Sequence, residues 1–97
     1  MALEIFYTER FKETLASVYH FILNKFGLST ADKFIAKAEK TIALMAEQPY
    51  MFKASAFDEN VRVGLITSQC SLFYRVTSSS IHLLFFWDNR QEPILPQ

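Results

Sequence analysis

The sequence predicts an α+β fold with the element order β-α-α-β-β-β, a helical hairpin packed on a mainly antiparallel sheet. Three observations carry that expectation. Two stripes of apolar residues recur at helical spacing before Pro49. Apolar and polar residues alternate with period two after Asn60. The last alternating segment, from Ile81 to Trp87, is apolar at nearly every position, as expected of a central strand covered on both sides.

The elements follow in order. Leu3, Ile5 and Tyr7 alternate with Glu4 and Phe6 and predict a short first strand. Thr8 is placed to cap the next helix, with Glu9 favourable in its first turn. Phe11, Leu15, Val18, Ile22 and Phe26 form the stripe of that helix, and Gly27 is placed to end it. Ser29 and Asp32 resemble a capping box opening a second helix. Its stripe is Ala31, Phe34 or Ile35, Ala38, Ile42 and Met45, and Pro49 stops it. The helices, over 8–26 and 29–48, are joined so tightly that they must run antiparallel. Each has one apolar face, so the pair must lie on a sheet. Residues 49–60 show no period and read as a loop carrying Tyr50, Phe52 and Phe57. A three-strand meander follows. Val61, Val63 and Leu65 open its first strand, with Arg62 on the opposite face. Leu72, Tyr74 and Val76 alternate with Phe73, Arg75 and Thr77 in its second. In the third, Ile81, Leu83, Phe85 and Trp87 are expected on one face and His82, Leu84 and Phe86 on the other. Two prolines after Glu92 argue against a terminal helix.

At 97 residues, half of them hydrophobic and only two glycine, the chain fits one domain, 1–97, and excludes disorder. Its formal net charge is zero, which gives no general pull toward nucleic acid. Cys70 stands alone and excludes a disulfide framework. His20 and His82 lie on different elements without metal spacing, and Gly27 and Gly64 make no phosphate loop, so no metal or cofactor is expected. The first residues lack the pattern of a signal peptide, and the apolar run from Leu83 to Trp87 is too short to span a bilayer. The expected location is cytoplasmic, with no membrane partner.

What chemistry remains lies in three arginines and in the exit of the last strand. Asp88, Asn89, Arg90 and Gln91 follow a rigid central element that ends at Trp87, a position that suits a recognition or catalytic group. Arg62 and Arg75 fall on adjacent strands. If they share the face that the helices leave open, they line one surface with Arg90. Guanidinium forks bind phosphate or carboxylate bidentately. The plain alternative pairs Arg62 with Glu59 and Arg90 with Asp88.

The order β-α-α-β-β-β, together with Phe73-Tyr74-Arg75-Val76 and Phe86-Trp87-Asp88-Asn89-Arg90-Gln91, resembles the RelE/ParE superfamily of toxins. These belong to bacterial type II toxin–antitoxin pairs and are often called plasmid stabilisation proteins. The resemblance implies a small growth-inhibiting cytoplasmic toxin, neutralised by a cognate antitoxin whose acidic or amphipathic segment wraps around it. It leaves open a homodimer or a toxin–antitoxin hetero-oligomer. ParE-like members poison DNA gyrase. RelE-like members are metal-independent endoribonucleases acting on messenger RNA in the ribosome. Carried over by position, the nuclease pattern matches Arg62 and Arg90. It meets Gly64 and Ser71 where further basic residues are expected, and no tyrosine or histidine follows His82. Metal-free cleavage needs a group to activate the 2′-hydroxyl and cations for the phosphorane. The resemblance therefore leans toward the ParE branch, with Arg90, Trp87, Asp88, Asn89, Gln91 and Arg62 as target-binding residues. Its alternatives are a ribosome-dependent nuclease centred on Arg62, Arg75 and Arg90, and a degenerate member retaining only antitoxin binding.

Overall fold

The computed structural model describes residues 2–56 and 58–89. Phe57, Arg90, Gln91 and the proline-containing tail lie outside the described residues. The elements are β1 (Glu4–Tyr7), α1 (Glu9–Phe26), α2 (Leu28–Glu47), β2 (Lys53–Ala54), β3 (Val61–Thr67), β4 (Cys70–Val76) and β5 (Ser80–Asp88). The strands form one sheet in the order β1-β5-β4-β3-β2. β1 runs parallel to β5, and every other pair is antiparallel. The short β2 lies in the segment expected to be loop. It pairs Lys53 with Val63 and Ala54 with Arg62 at the sheet edge.

The helix boundaries have identifiable causes. Thr8 Oγ1 accepts the Phe11 N–H at 3.1 Å, the expected N-cap bond. Gly27 adopts φ 95°, a conformation open to glycine, and its N–H closes on the Leu23 carbonyl. α2 then starts one residue early, at Leu28, with Gly27 as its cap and no side-chain capping bond. The expected capping box of Ser29 and Asp32 does not form, because the glycine turn has already entered the helix.

Both helices cover one face of the sheet. Phe11, Phe34, Ala38, Ile42 and Met45 are buried there against Leu72, Tyr74, Val76, Ile81, Leu83 and Phe86. Phe86 meets the rings of Phe11 and Phe34 at 5.2 and 5.8 Å. Burying side chains of this size contributes about 1.5–3 kcal/mol each. Gly64 faces the same side. A methyl built there would sit 2.5 Å from Met45 Cε and 3.0 Å from the Phe52 ring, so glycine lets α2 and the following loop close on β3.

β5 corrects the expected alternation. Tyr74 pairs with Leu83 but the preceding Phe73 pairs with Phe85, so Leu84 is an extra residue in a β-bulge. The insertion reverses the faces beyond it. Ile81 and Leu83 point to the helices, as does Phe86, whereas Phe85 and Trp87 turn to the other side.

α1 also closes the strand edge that β1 is too short to cover. The Thr8 hydroxyl donates to the carbonyls of Leu83 and Leu84 at 2.6 and 3.2 Å. Further along, the Phe86 N–H donates to Thr14 Oγ1 at 3.0 Å. Two threonines thus satisfy backbone groups that would otherwise form an open edge.

Candidate functional site

The face of the sheet turned away from the helices is aromatic and open. Cross-strand pairing sets its side chains in three rows. Phe6, His82 and Arg75 form the first, Phe85, Phe73 and Val63 the second, and Trp87, Ser71 and Leu65 the third. Phe73 and Phe85 stack with ring centroids 4.8 Å apart. Phe6 and His82 stack at 4.9 Å. The Arg10 guanidinium, from the first turn of α1, lies 5.1 Å from the centre of the Phe85 ring. Leu65 is 62% exposed and Phe6 43%, while Val63, Phe73, Phe85 and Trp87 are each partly exposed. A contiguous apolar surface of this kind is a mark of an interaction site.

The structure separates the arginines expected to act together. Arg62 pairs opposite Tyr74, so it projects toward the helices. Its Nη1 donates to the Phe52 carbonyl at 3.1 Å, and its guanidinium lies 4.9 Å from the centre of the Tyr50 ring. Its Nε is buried without a hydrogen bond. The Tyr74 hydroxyl donates to the Pro49 carbonyl at 2.7 Å, so both side chains hold the chain leaving α2 against the sheet. Burial pushes the Tyr74 phenol well above the usual tyrosine range, and it stays protonated.

Arg75 points the other way, onto the open face. It forms an ion pair with Asp58 at 3.0 Å. The Asn60 N–H bond, foremost, and then Arg75 hold the Asp58 carboxyl below its ordinary value. Arg62 and Arg75 therefore do not form one cationic surface, and the ion pair formed is Asp58–Arg75 rather than Glu59–Arg62. The reason is the alternation of the pleat. Positions 62 and 75 are offset by one in the β3–β4 register, where Arg62 faces Tyr74 and Arg75 faces Val61.

The exit of β5 is held as a unit. The Asn89 N–H donates to the Gln69 carbonyl at 2.8 Å, and Asn89 Oδ1 accepts from Ser71 Oγ at 2.8 Å. Trp87, Asp88 and Asn89 are thus brought together beside the β3–β4 turn. Arg90 and Gln91 follow outside the described residues. Arg62 is not part of this group: it lies three positions before Leu65, on the other face. Cys70, opposite Asp88, is buried, and desolvation with a smaller push from Asp88 raises its thiol to about 11. Such a thiol is a poor nucleophile. Among the described residues, no three His, Cys, Asp or Glu side chains gather as a metal site.

Behind the exit, α1, the first half of α2, the end of β5 and the β3–β4 turn enclose a groove of about 670 Å³. Val18, Ile22, Phe34 and Phe86 contribute apolar lining, while Arg10, Lys33 and Lys37 supply positive charge.

A family model described as "ParE toxin of type II toxin-antitoxin system, parDE" matches residues 5–93. The chain belongs to the ParE toxin family. Solved structures share the fold of this ParE-family chain at low sequence identity. One from a chromosomal ParDE toxin–antitoxin system of P. aeruginosa has a TM-score of 0.74 at 16% identity, over 90% of this chain and 96% of that one. A copper-bound mutant toxin from Helicobacter pylori has a TM-score of 0.62 at 19% identity, over 91% and 96%. The YoeB dimer from Staphylococcus aureus has a TM-score of 0.60 at 12% identity, over 88% and 94%. A search of curated proteins finds no match.

Arg10 and the Phe73–Phe85 pair were not singled out by sequence reasoning. The bulge hides the pair, because strict alternation assigns Phe85 to the face of Leu83. Lys33 and Lys37 carry a legible signal: an i, i+4 basic pair flanking Phe34 on α2.

Proposed function

We propose that this ParE-family toxin inhibits growth in the cytoplasm by binding a protein target, DNA gyrase, and that a cognate antitoxin neutralises it. The observation that carries this reading is the character of the open sheet face. Aromatic and aliphatic side chains occupy its middle, and Arg62 is turned away from it. Metal-free RNA cleavage requires several cations and an acid–base group around one phosphate. Arg75 is the arginine that β3 and β4 present there, and it is paired with Asp58. Protein recognition, in contrast, favours aromatic anchors with an arginine at the margin. Phe73, Phe85 and Trp87 supply the first. Arg10 and Arg75 supply the second.

In this reading Trp87, Asp88 and Asn89, with Arg90 and Gln91 beyond them, form the target-contacting end of the surface. The antitoxin covers apolar surface that the free toxin leaves open, so the toxin expressed alone is expected to self-associate. Co-expression with the antitoxin is expected to give a soluble complex.

Primer extension on total RNA after induction tests the choice of branch. The proposal predicts intact messages together with a DNA-damage response. Codon-phased cuts that vanish in Arg75→Ala and Arg90→Ala variants would establish the ribosome-dependent nuclease instead.

A further inference from the structure

The outer edges of the sheet are protected to different degrees. At one edge, β2 is only two residues long and carries Lys53, and β3 beside it breaks register between Leu65 and Thr67. Short strands, lysines and bulges all blunt an edge against pairing with another chain. At the other edge, β1 has no lysine, no proline and no register break. Glu4, Phe6 and Tyr7 are exposed there, and Ile5 is partly so.

The β1–β5 ladder fixes which backbone groups of β1 remain. The Glu4 N–H donates to the Ser79 carbonyl and the Thr8 N–H to the Leu83 carbonyl, while Phe6 lies opposite His82. Alternate residues of a strand turn their backbone groups to the same neighbour, so Glu4, Phe6 and Thr8 address β5, and Leu3, Ile5 and Tyr7 address the outside. Leu3 has a partner there: its N–H donates to the Ala46 carbonyl at the end of α2, at 2.9 Å. Beyond Tyr7 the chain turns into α1. Among the described residues, the outward N–H and C=O groups of Ile5 and Tyr7 have no backbone partner. They present a donor and an acceptor at each of two positions on an extended strand, and such a set is its own complement. A twofold axis through Phe6 sets Ile5 opposite the second copy's Tyr7, and Tyr7 opposite its Ile5. Each pair then exchanges both N–H···O bonds, with Phe6 facing Phe6 at the non-bonded position between them. Phe6 is 43% exposed on the open face, where a cross-strand aromatic pair is favourable. Glu4 falls opposite Thr8, so no like charges meet across the strands.

We propose that the free chain forms a twofold dimer through the outer edge of β1, with antiparallel pairing of Ile5–Tyr7 to the same segment of a second copy. The two five-stranded sheets become one, and their aromatic open faces become continuous with Phe6 at the seam. The pairing uses up the edge on both copies, so association closes at two. The shared segment falls well short of the about 20–30 residues a side of a standard interface, so the dimer is weak and reversible. It gives the self-association expected of the free toxin a defined surface, and it holds whichever target the toxin has.

The test is sedimentation equilibrium together with amide hydrogen exchange, read by NMR, on the full chain over a range of concentrations. A monomer–dimer equilibrium is expected. The Ile5 and Tyr7 amides should exchange more slowly as concentration rises, while the Glu4 and Thr8 amides, already bonded within the chain, change little. Tyr7→Pro removes an outward donor from each copy and leaves the β1–β5 ladder whole. It should weaken the dimer by about tenfold or more. The exchange pattern of the wild type decides the matter even where the variant folds poorly. A chain that stays monomeric up to its limit of solubility would overturn the proposal. So would a dimer whose Ile5 and Tyr7 amides gain no protection, association that continues beyond two copies, or a folded Tyr7→Pro variant that dimerises as tightly as the wild type.

Discussion

The two faces of the sheet are built from the same strands and answer to different demands. On the helix side, Leu72, Tyr74, Ile81 and Leu83 are fully buried, and even the arginine that points there, Arg62, is bonded to the backbone and laid against a ring. On the open side the residues between them stay in contact with solvent: Arg75 is exposed, and Phe73, His82 and Phe85 are partly so. One face meets the requirement of folding. The other retains aromatic area that folding does not consume. The difference teaches that the arginines of such a chain cannot be grouped by sequence proximity, since one register step decides which are structural and which are available.

The comparison can be broken by mutation. Leu83→Ala should destabilise the protein by about 2–5 kcal/mol, whereas Phe85→Ala, two residues away, should lose about 1 kcal/mol of stacking. Chemical denaturation of both variants checks this, and equal losses would mean that the bulge does not separate the faces. Gly64→Leu tests the closeness of the covered face. Overpacking against Met45 and Phe52 should cost about 1–3 kcal/mol. Leu65→Ala, its neighbour on the open face, should change stability by no more than about 0.5 kcal/mol. Thr8→Ala should cost about 1–2 kcal/mol, read by the same melts, because it removes the α1 cap and the donor to the β5 carbonyls together.

The smallest effect lies on the open face itself. The Asp58 carboxyl titrates below its ordinary 3.8 in the folded protein. A depressed carboxylate contributes stability above its unfolded value and loses it as pH falls through the folded one. Stability of the wild type relative to Asp58→Asn should therefore be constant from neutrality to about pH 5 and decline only below that. A difference that instead changes near neutrality would contradict the Asp58–Arg75 assignment.

Much of this fold is legible in the sequence because its signals are local. The Phe11–Ile22 and Ala31–Met45 stripes, the Thr8 cap, the Gly27 break and the alternation around Leu72–Val76 each rest on a few neighbouring residues. The missed features are relational. The bulge at Leu84 depends on how β5 meets β4 and leaves no mark of its own in an unbroken run of apolar residues. The edge strand β2 is two residues long, too short to show a period. The side to which Arg62 points depends on Gly64, whose meaning emerges only when Met45 and Phe52 are seen against it. The β5 exit was legible as a place, since a strand running into polar residues is visible. Its link to the stacked Phe73–Phe85 pair and to Arg10 was not.

The central claim is the proposal that the open face and the β5 exit bind DNA gyrase. Titration of purified DNA gyrase with the wild-type toxin and with Trp87→Ala, monitored by calorimetry, tests it most directly. The account predicts a saturable complex with the wild type. It predicts affinity weakened by about 2 kcal/mol or more in the variant if Trp87 is an anchor, with thermal stability little changed. A wild-type toxin that shows no binding, or a variant that binds as tightly as the wild type, would contradict it.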